Sequence, residues 1–271
     1  MKVLNKTVLL VMVVLLLASC KQAQRYNPES DFRATPIDGG RVVRIDEYIG
    51  TDFRVNIPPK IQNLPVAEIG DEAFLRKNLV SVTIPNSVTI IGYAAFAGNQ
   101  LTQVIIPNSV TSIERSAFAF NQLTQVTIPN SVRHLSGFEN NQLIQVTIPN
   151  SVTMIGYAAF AGNQITQVTI PNSVITIEFG AFAHNQLTQV AVPNSVTTIE
   201  RGAFAHNQLS RVTIPISVTT IEDDAFAACD SLTIYAEATS RPHGWHDDWN
   251  VIYYVVGIEH RVPVVWGTRM P

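Results

Sequence analysis

Residues 101–122 read LTQVIIPNSVTSIERSAFAFNQ, and units of this kind follow one another along most of the 271-residue chain. The segment Ile-Pro-Asn-Ser-Val, or a close variant of it, starts at Ile84, Ile106, Ile128, Ile148, Ile170, Val192 and Ile214. The steps between these starts are 22, 22, 20, 22, 22 and 22 residues. Phenylalanine keeps the same period, at Phe74, Phe96, Phe118, Phe138, Phe160, Phe182, Phe204 and Phe226. Markers that share one period predict a solenoid of stacked coils.

One unit indicates how a coil is built. The apolar positions 104 and 106 alternate with 103 and 105, which predicts a β-strand, and Pro107 ends it because proline cannot donate to a ladder. Val110 and Ile113 are expected to point inward, and Phe118 to fill the far side after a short helical turn or irregular segment. Because the copies are almost equal in length, equivalent residues of successive coils lie side by side, which requires the strands to be parallel. The predicted fold is therefore a mainly β repeat solenoid with a parallel sheet on one face and little regular helix.

Two details of the repeat lead to further expectations. The 20-residue copy lacks two residues between Leu135 and Phe138, opposite the predicted strand, so the sheet is expected to pass through undisturbed. The asparagines of the Pro-Asn-Ser corner are expected to form a stacked amide ladder that satisfies backbone groups. They are Asn86, Asn108, Asn130, Asn150, Asn172 and Asn194.

The start of the chain has the pattern of an export signal. Two lysines precede an apolar run from Val8 to Leu17, too short to span a bilayer but suited to a signal peptide over residues 1–19. The run ends in Leu17-Ala-Ser-Cys20, which resembles the lipobox of bacterial lipoproteins. In that family the cysteine becomes the new N-terminus and carries a lipid, which would leave Cys229 without an intramolecular partner. The alternative is an ordinary secretory signal with Cys20 as a free thiol.

The remaining boundaries follow from composition. Residues 20–33 are polar and are predicted to form a tether. Residues 34–78 are predicted to hold an N-terminal cap, with an antiparallel hairpin around Asp38-Gly-Gly40 and a first degenerate repeat, ahead of a solenoid over 79–236. Residues 237–271 contain all three tryptophans. We expect them to cover the last coil as an aromatic cap, with a binding patch as the alternative.

The combination Leu-x-x-Val-x-Ile, Pro-Asn-Ser-Val and Ala-Phe resembles the BspA-like, or treponemal-type, leucine-rich repeat over roughly residues 57–236. The resemblance implies the leucine-rich-repeat solenoid. It also implies a bacterial surface or secreted protein, since some members act as adhesins for host proteins or other bacteria. Relative to the usual ending of the family, Val251 to Arg261 has the character of an insertion.

Composition and motifs argue against several other functions. A net charge of -3 gives no cationic field for nucleic acid, and no phosphate loop, hydrolase elbow or zinc-protease motif is present. An enzyme therefore has no supporting constellation, and no cofactor is predicted. His243, His246, Asp247, Asp248 and His260 could hold a metal, but their spacing matches no signature and exposed cap residues are the simpler interpretation. His184 and His206 occupy equivalent corners, where a solvated turn ladder is favoured over a pH-sensitive pair.

The predicted binding surface is the outward side of the strands. Its residues are Gln103, Gln125, Thr127, Gln145, Thr147, Gln167, Thr169, Gln189, Arg211 and Thr213. The prediction is a lipid-anchored protein of the outer membrane or cell surface that adheres through this face to extracellular or host proteins, with matrix proteins or glycans as candidates. The alternative function is a periplasm-facing structural scaffold. The simplest interpretation of the outward residues is that they only keep the exposed sheet soluble.

Overall fold

The computed structural model describes residues 25–255 and 258–268. It begins with two antiparallel strands, β1 (Phe32–Ile37) and β2 (Val42–Tyr48), joined through a 3₁₀ turn at Asp38–Gly40. A second 3₁₀ turn, Glu29–Asp31, precedes β1. The next strands are β3 (Arg54–Asn56), β4 (Lys60–Ile61) and β5 (Leu64–Ile69). The hairpin expected from the sequence is therefore present, and β5 continues its sheet in parallel with β2.

Short strands then follow through the repeats. In chain order they are β6 (Ser81–Thr83), β7 (Ile90–Ile91), β8 (Ser112–Ile113), β9 (His134–Leu135), β10 (Gln145–Thr147), β11 (Met154–Ile155), β12 (Gln167–Thr169), β13 (Thr176–Ile177), β14 (Gln189–Ala191), β15 (Thr198–Ile199), β16 (Arg211–Ile214), β17 (Thr220–Ile221) and β18 (Thr233–Ala236). The chain ends with β19 (Val251–Val255), β20 (Ile258–Arg261) and β21 (Val264–Trp266). In the described residues the only helices are the two 3₁₀ turns, so the predicted mainly β solenoid is confirmed.

The longest sheet is not the predicted one. It lies on the side of the coil after the Asn-Ser corner, where no sheet was expected. The continuous sheet runs β1-β2-β5-β7-β8-β9-β11-β13-β15-β17, and from β7 onward it uses the residues that follow the Asn-Ser corner. The strands predicted from Leu-x-x-Val-x-Ile form separate sheets, β3-β6, β10-β12 and β14-β16-β18-β21. At residues 101–106 the predicted strand is reduced to a single bridge between Ile105 and Thr127. Proline follows these segments in the repeats up to β16 and removes a donor, which keeps their ladders short.

The core is a column of rings along the solenoid axis. The eight repeat phenylalanines are fully buried, and successive centroids lie 4.9–5.9 Å apart with interplanar angles of 4–19°. Tyr48 of the N-terminal hairpin stacks on Phe74 at 5.4 Å. At the other end Trp249 packs edge-on against Phe226 at 6.5 Å. Aromatic rings thus close both ends of the column and hide it from water.

The C-terminal tryptophans lie mostly inside the protein. Trp245 and Trp249 are only 3% and 2% exposed, and their rings meet edge to face at 4.6 Å. The indole N–H of Trp245 donates to Val218 O at 3.0 Å. This packing supports their use as a cover for the last coil and leaves little of either ring for a ligand.

The buried amide ladder uses a different set of asparagines from the expected one. Asn121 donates from Nδ2 to Phe96 O and Phe118 O at 2.9 and 3.1 Å, and its Oδ1 accepts from the Leu101 N–H at 3.0 Å. This geometry repeats at the asparagine of every Asn-Gln pair. We call this set the ladder asparagines: Asn99, Asn121, Asn141, Asn163, Asn185 and Asn207. The six asparagines of the Pro-Asn-Ser corner, here the corner asparagines, are exposed, so the prediction for them is wrong.

Cys229 continues this ladder in the last coil. It lies 22 residues after Asn207, and its Sγ is 3.5 Å from Phe204 O, the carbonyl that an asparagine would reach there. Burial raises the pKa of this thiol to about 11. Cys229 is therefore a neutral structural residue of the core. Cys20 lies outside the described residues.

The 20-residue copy leaves the continuous sheet intact. The sheet for which this was predicted, that of the Leu-x-x-Val-x-Ile strands, is reduced here to isolated bridges from Thr127 to Ile105 and Thr147. His134 pairs with Ser112 on one side and with Met154 on the other, without a shift in register. The shortened turn depends on Gly137, whose φ is 92°. A Cβ at this position would lie 2.6 Å from Glu114 O, so no other residue fits without moving the backbone. The deletion removes the intervening side chains from the turn face.

Two side chains meet across this gap. The guanidinium of Arg115 lies 4.8 Å from the ring centroid of Tyr157, although two coils separate the residues in the repeat. Tyr157 in turn stacks on Phe179 at 5.0 Å. The cation–π contact therefore bridges the place where two residues are missing.

Glu139 of the same copy gives the solenoid a pH-dependent stability. It occupies a position held by alanine in the neighbouring coils, is buried, and accepts a hydrogen bond from Ser116 Oγ. Its Oε2 has no partner, and burial raises the pKa of this carboxyl above its ordinary 4.5. The folded state therefore holds the proton more tightly than the unfolded state. This stabilising contribution is gained as pH falls towards 4.5 and lost as pH rises through the folded pKa.

We expect wild type to gain stability relative to Glu139→Gln when the pH is lowered from about 7 to about 4.5, because only the wild type takes up this proton. Melting temperatures of both proteins over this range measure the difference and cancel contributions from other carboxyl groups. A difference that does not change with pH would show that the carboxyl is not perturbed.

The chain packs earlier than the predicted tether would allow. Asn27 is buried, its backbone N–H donates to Asn56 O at 2.9 Å, and its Oδ1 accepts from the Asn56 N–H at 2.8 Å. Phe32 already belongs to β1 and to the core. Residues 27–33 are thus part of the folded body, because they protect the edge of β3.

At the other end, Val251–Val255 and Ile258–Arg261 form an antiparallel pair within the segment identified as an insertion. Strand β21 then returns to pair in parallel with β18. In the described part of the chain, no helix has the length and apolar character needed to cross a membrane.

Candidate functional site: the Gln–Thr face

The candidate site is the exposed side of the strands β10, β12, β14 and β16 and the equivalent segments before them. We call it the Gln–Thr face. It comprises the ten predicted residues Gln103, Gln125, Thr127, Gln145, Thr147, Gln167, Thr169, Gln189, Arg211 and Thr213. All are exposed except Thr213, which is half-buried. The structure therefore places the whole predicted set on one side of the solenoid.

Backbone register arranges these side chains in two rows. Gln145 pairs with Gln167, and Gln189 with Arg211, so the glutamine row continues into an arginine. In the second row Thr127 pairs with Thr147, which pairs with Thr169. Neighbouring rungs of such ladders lie about 4.8 Å apart. Hydrogen-bonding groups are thus presented at a fixed spacing.

The face also has apolar members that the sequence prediction left out. Ile105 stands in the threonine row and is 84% exposed, and Ala191 interrupts the row further on. Ile144, just before the glutamine of its strand, is 56% exposed. The positions of these three residues within the repeat already indicate that they lie on this face. Exposed aliphatic side chains beside amides and hydroxyls give the surface the mixed character of a protein interface.

The electrostatic character of the face is simple. The strand segments from Leu101 to Pro215 that form it contain no aspartate or glutamate. Its cations are at the ends, with Arg54 paired to Ser81 on one side and Arg211 on the other. The Arg211 guanidinium lies 4.2 Å from the ring centroid of Tyr235. The middle of the face is therefore neutral, so association through it is expected to depend little on salt.

Shallow depressions lie along the face. One of about 660 Å³ lies between the glutamine and threonine rows and is bordered by Gln167, Thr169, Gln189 and Arg211. Two more, of about 570 and 640 Å³, lie between the threonine row and the Pro-Asn corners and share Thr147. None of the three contains a histidine, cysteine or carboxylate. Their chemistry is suited to contact and hydrogen bonding.

The two histidine groups singled out in the sequence lie elsewhere. His184 and His206 are exposed at their turns and stack with centroids 4.1 Å apart. Partial burial and the neighbouring His206 lower the pKa of His184. Near the C-terminus, Asp247 pairs with Arg241, and Asp248 with Arg261. Among the side chains that the structure describes, which do not include that of His260, no three histidine, cysteine or acidic side chains are grouped so as to hold a metal ion.

Solved structures of similar shape include two bacterial leucine-rich proteins and a pneumococcal antigen. A leucine-rich cell surface protein from Faecalibacterium prausnitzii has a TM-score of 0.51 and 21% identity, over 84% of this chain and 86% of that one. A leucine-rich repeat protein from Bacteroides ovatus has a TM-score of 0.51 and 20% identity, over 79% and 71%. A pneumococcal vaccine antigen has a TM-score of 0.51 and 19% identity, over 81% and 75%. These likenesses show a shared fold.

No curated protein sequence matches the chain. The model of the BspA-type leucine-rich repeat region, in contrast, matches residues 67–137 and 136–233 with six copies. This is more than half of the chain, and it covers the repeats whose coils, phenylalanine column and asparagine ladder are described above. The chain therefore belongs to the family of BspA-type leucine-rich repeat proteins.

Proposed function

We propose that this protein is a lipid-anchored surface protein that binds other proteins through the Gln–Thr face and so mediates adhesion to host or matrix proteins. The observation that carries the proposal is the face itself, in which exposed, uncharged hydrogen-bonding side chains follow one another in register from Gln103 to Arg211. Membership of a repeat family found in bacterial cell-surface proteins supports this proposal.

The form of the face favours a protein over a small molecule. A stable protein interface takes about 800 Å² from each partner, which a surface extending over several coils can supply. The backbone under the side chains is held by ladder hydrogen bonds, so less conformational entropy is lost on binding than with a flexible loop. Shallow depressions without a histidine, cysteine or carboxylate offer a substrate none of the usual catalytic acids and bases.

The test of the face is the double variant Gln145→Lys, Gln167→Lys. Both residues are exposed and directly paired, so two like charges would face the partner at the centre of the array, where contacts contribute most. We expect binding of soluble residues 21–271 to fibronectin, fibrinogen or collagen to fall at least roughly tenfold, which is about 1.4 kcal/mol. Circular dichroism should remain that of wild type.

A matched control changes glutamines at another corner of the same two coils. Gln142 and Gln164 precede the strands and are exposed, so Gln142→Lys, Gln164→Lys adds the same charge away from the rows. This control should bind as wild type does. An equal loss in both variants would mean that net charge matters and not the face, and unchanged binding in the test variant would place the site elsewhere.

Anchoring is tested separately at Cys20. If this residue carries the lipid, Cys20→Ser should move the protein from the membrane fraction of cells to the soluble fraction, because a single side chain holds the whole anchor. Detergent phase partition measures the change. A variant that still partitions into detergent would contradict lipidation.

Protease treatment of intact cells tests the orientation. We expect the protein to be degraded under conditions that spare a periplasmic marker. A protected protein would favour the periplasm-facing scaffold and would rule out adhesion from the cell surface.

A further inference from the structure

The corner asparagines are repeated in the chain although the fold does not use their side chains. Each corner is closed by a backbone bond, as from the Val110 N–H to Pro107 O at 3.0 Å. In the last copy Ile216 replaces the asparagine, and the corresponding bond from Val218 to Pro215 still forms at 3.2 Å. The turn therefore does not require asparagine. A polar residue that recurs without a structural partner is a candidate for binding.

Three corner asparagines line a groove. Asn130 and Asn150 border one depression, and Asn150 and Asn172 border the next. The two depressions share Thr147, Ile148 and Asn150, and we call the pair the groove. The opposite wall is the threonine row, Thr127, Thr147 and Thr169. Valine, isoleucine and proline side chains form the floor. This strip borders the Gln–Thr face but adds residues that the face does not include.

The polar side chains of this groove are free to bind. None of the three asparagine and three threonine side chains takes part in a hydrogen bond with any other described residue of the protein. Each amide offers two donors and an acceptor, and each hydroxyl can do both. The rigid coils hold these groups about 4.8 Å apart along the axis.

We propose that this groove binds an extended, uncharged polysaccharide strand. This goes beyond the proposed protein-binding function, because it assigns a site to the corner asparagines and commits that site to a neutral carbohydrate. A pyranose ring carries hydroxyl groups at its rim and C–H groups on its faces. The rim would exchange hydrogen bonds with Asn130, Asn150 and Asn172 and with the threonines, while the C–H faces lie on the apolar floor.

Charge and repeat decide between this ligand and others. The groove holds no cation to pair with a polyanion and no anion to pair with a basic peptide. Its identical polar positions recur once per coil, which suits a polymer of identical units. An extended polypeptide advances about 3.3 Å per residue and would fall out of step with rungs about 4.8 Å apart.

The experiment titrates soluble residues 21–271 with β-1,4-linked hexasaccharides of glucose, xylose and N-acetylglucosamine, followed by calorimetry. We expect at least one of them to bind, with an affinity that does not change between low and high salt. The triple variant Asn130→Ala, Asn150→Ala, Asn172→Ala should weaken that binding at least roughly tenfold.

The matched control is the triple variant Asn86→Ala, Asn108→Ala, Asn194→Ala, which makes the same change at the same corner outside the groove. It should bind the sugar as wild type does. Absence of binding by all three hexasaccharides, or an equal loss in both triple variants, would overturn the inference. Loss of protein binding in the groove variant, with no sugar bound, would assign the groove to the protein interface. Protein binding that still depends on Gln145 and Gln167 would leave the proposed function standing.

Discussion

Replacing Phe160 with alanine is expected to lower the free energy of unfolding by about 3–5 kcal/mol. Phe160 is fully buried between Phe138 and Phe182, with ring centroids 5.9 and 5.7 Å away. Its removal leaves a cavity in the middle of the column, and the coils above and below cannot close over it without breaking their ladders. Both faces of the ring lose their packing at once.

Denaturant unfolding followed by circular dichroism measures this effect. The matched control is Phe179→Ala, because Phe179 is 40% exposed and stacks only on the turn-side ring of Tyr157. We expect this variant to lose about 1 kcal/mol, the value of an aromatic pair. Equal losses in the two variants would show that the buried column is not the main source of stability.

Replacing Asn163 with alanine is expected to cost about 3 kcal/mol, because it leaves the buried Leu143 N–H without its partner and removes one of the two asparagine donors from each of two core carbonyl groups. Its Nδ2 donates to Phe138 O at 2.9 Å and Phe160 O at 3.0 Å, and its Oδ1 accepts from the Leu143 N–H at 3.0 Å. Phe138 O and Phe160 O keep a second donor, from Asn141 and Asn185, but the Leu143 N–H has no other partner among the described residues. The loss exceeds that of an ordinary hydrogen bond for this reason.

The control is the same substitution at Asn150, the corner asparagine of the same coil. This residue is exposed, so Asn150→Ala should change the free energy of unfolding by less than about 0.5 kcal/mol. The pair of measurements separates the two asparagine sets. A large loss at Asn150 and a small one at Asn163 would reverse their assignment.

Much of the fold could be predicted from the repeat. The positions of Phe118, Val110 and Ile113 in the core follow from period and polarity, and all three are buried in the structure. The two-residue deletion was placed correctly because the distance from Phe138 to Leu143 is the same as in the other copies. The Gln–Thr face follows from strand alternation, which sends Gln145 and Thr147 outward on either side of Val146.

The identity of the buried asparagines could not be predicted, because the ladder asparagines and the corner asparagines repeat with the same period. Asn141 and Asn150 recur equally regularly, and only the path of the chain decides which of the two faces the carbonyl groups of the core. The place of Cys229 at the end of the asparagine ladder could have been inferred from the sequence, since it lies 22 residues after Asn207. The contact of Arg115 with Tyr157 depends on a deletion between them, so no spacing rule gives it.

By itself, then, the sequence determined the stacking of coils, the content of the core and the outward side of the strands, because these follow from a period of 22 and from burying apolar side chains. Only the tertiary structure decided which sheet is continuous, which asparagines are buried and which remain exposed in a groove. The physical reason is that the direction in which the chain leaves each corner sets which side chains point into the coil, and the repeat period does not give that direction. Hydrogen bonds between neighbouring coils, and not the order of residues along one coil, select the groups that meet.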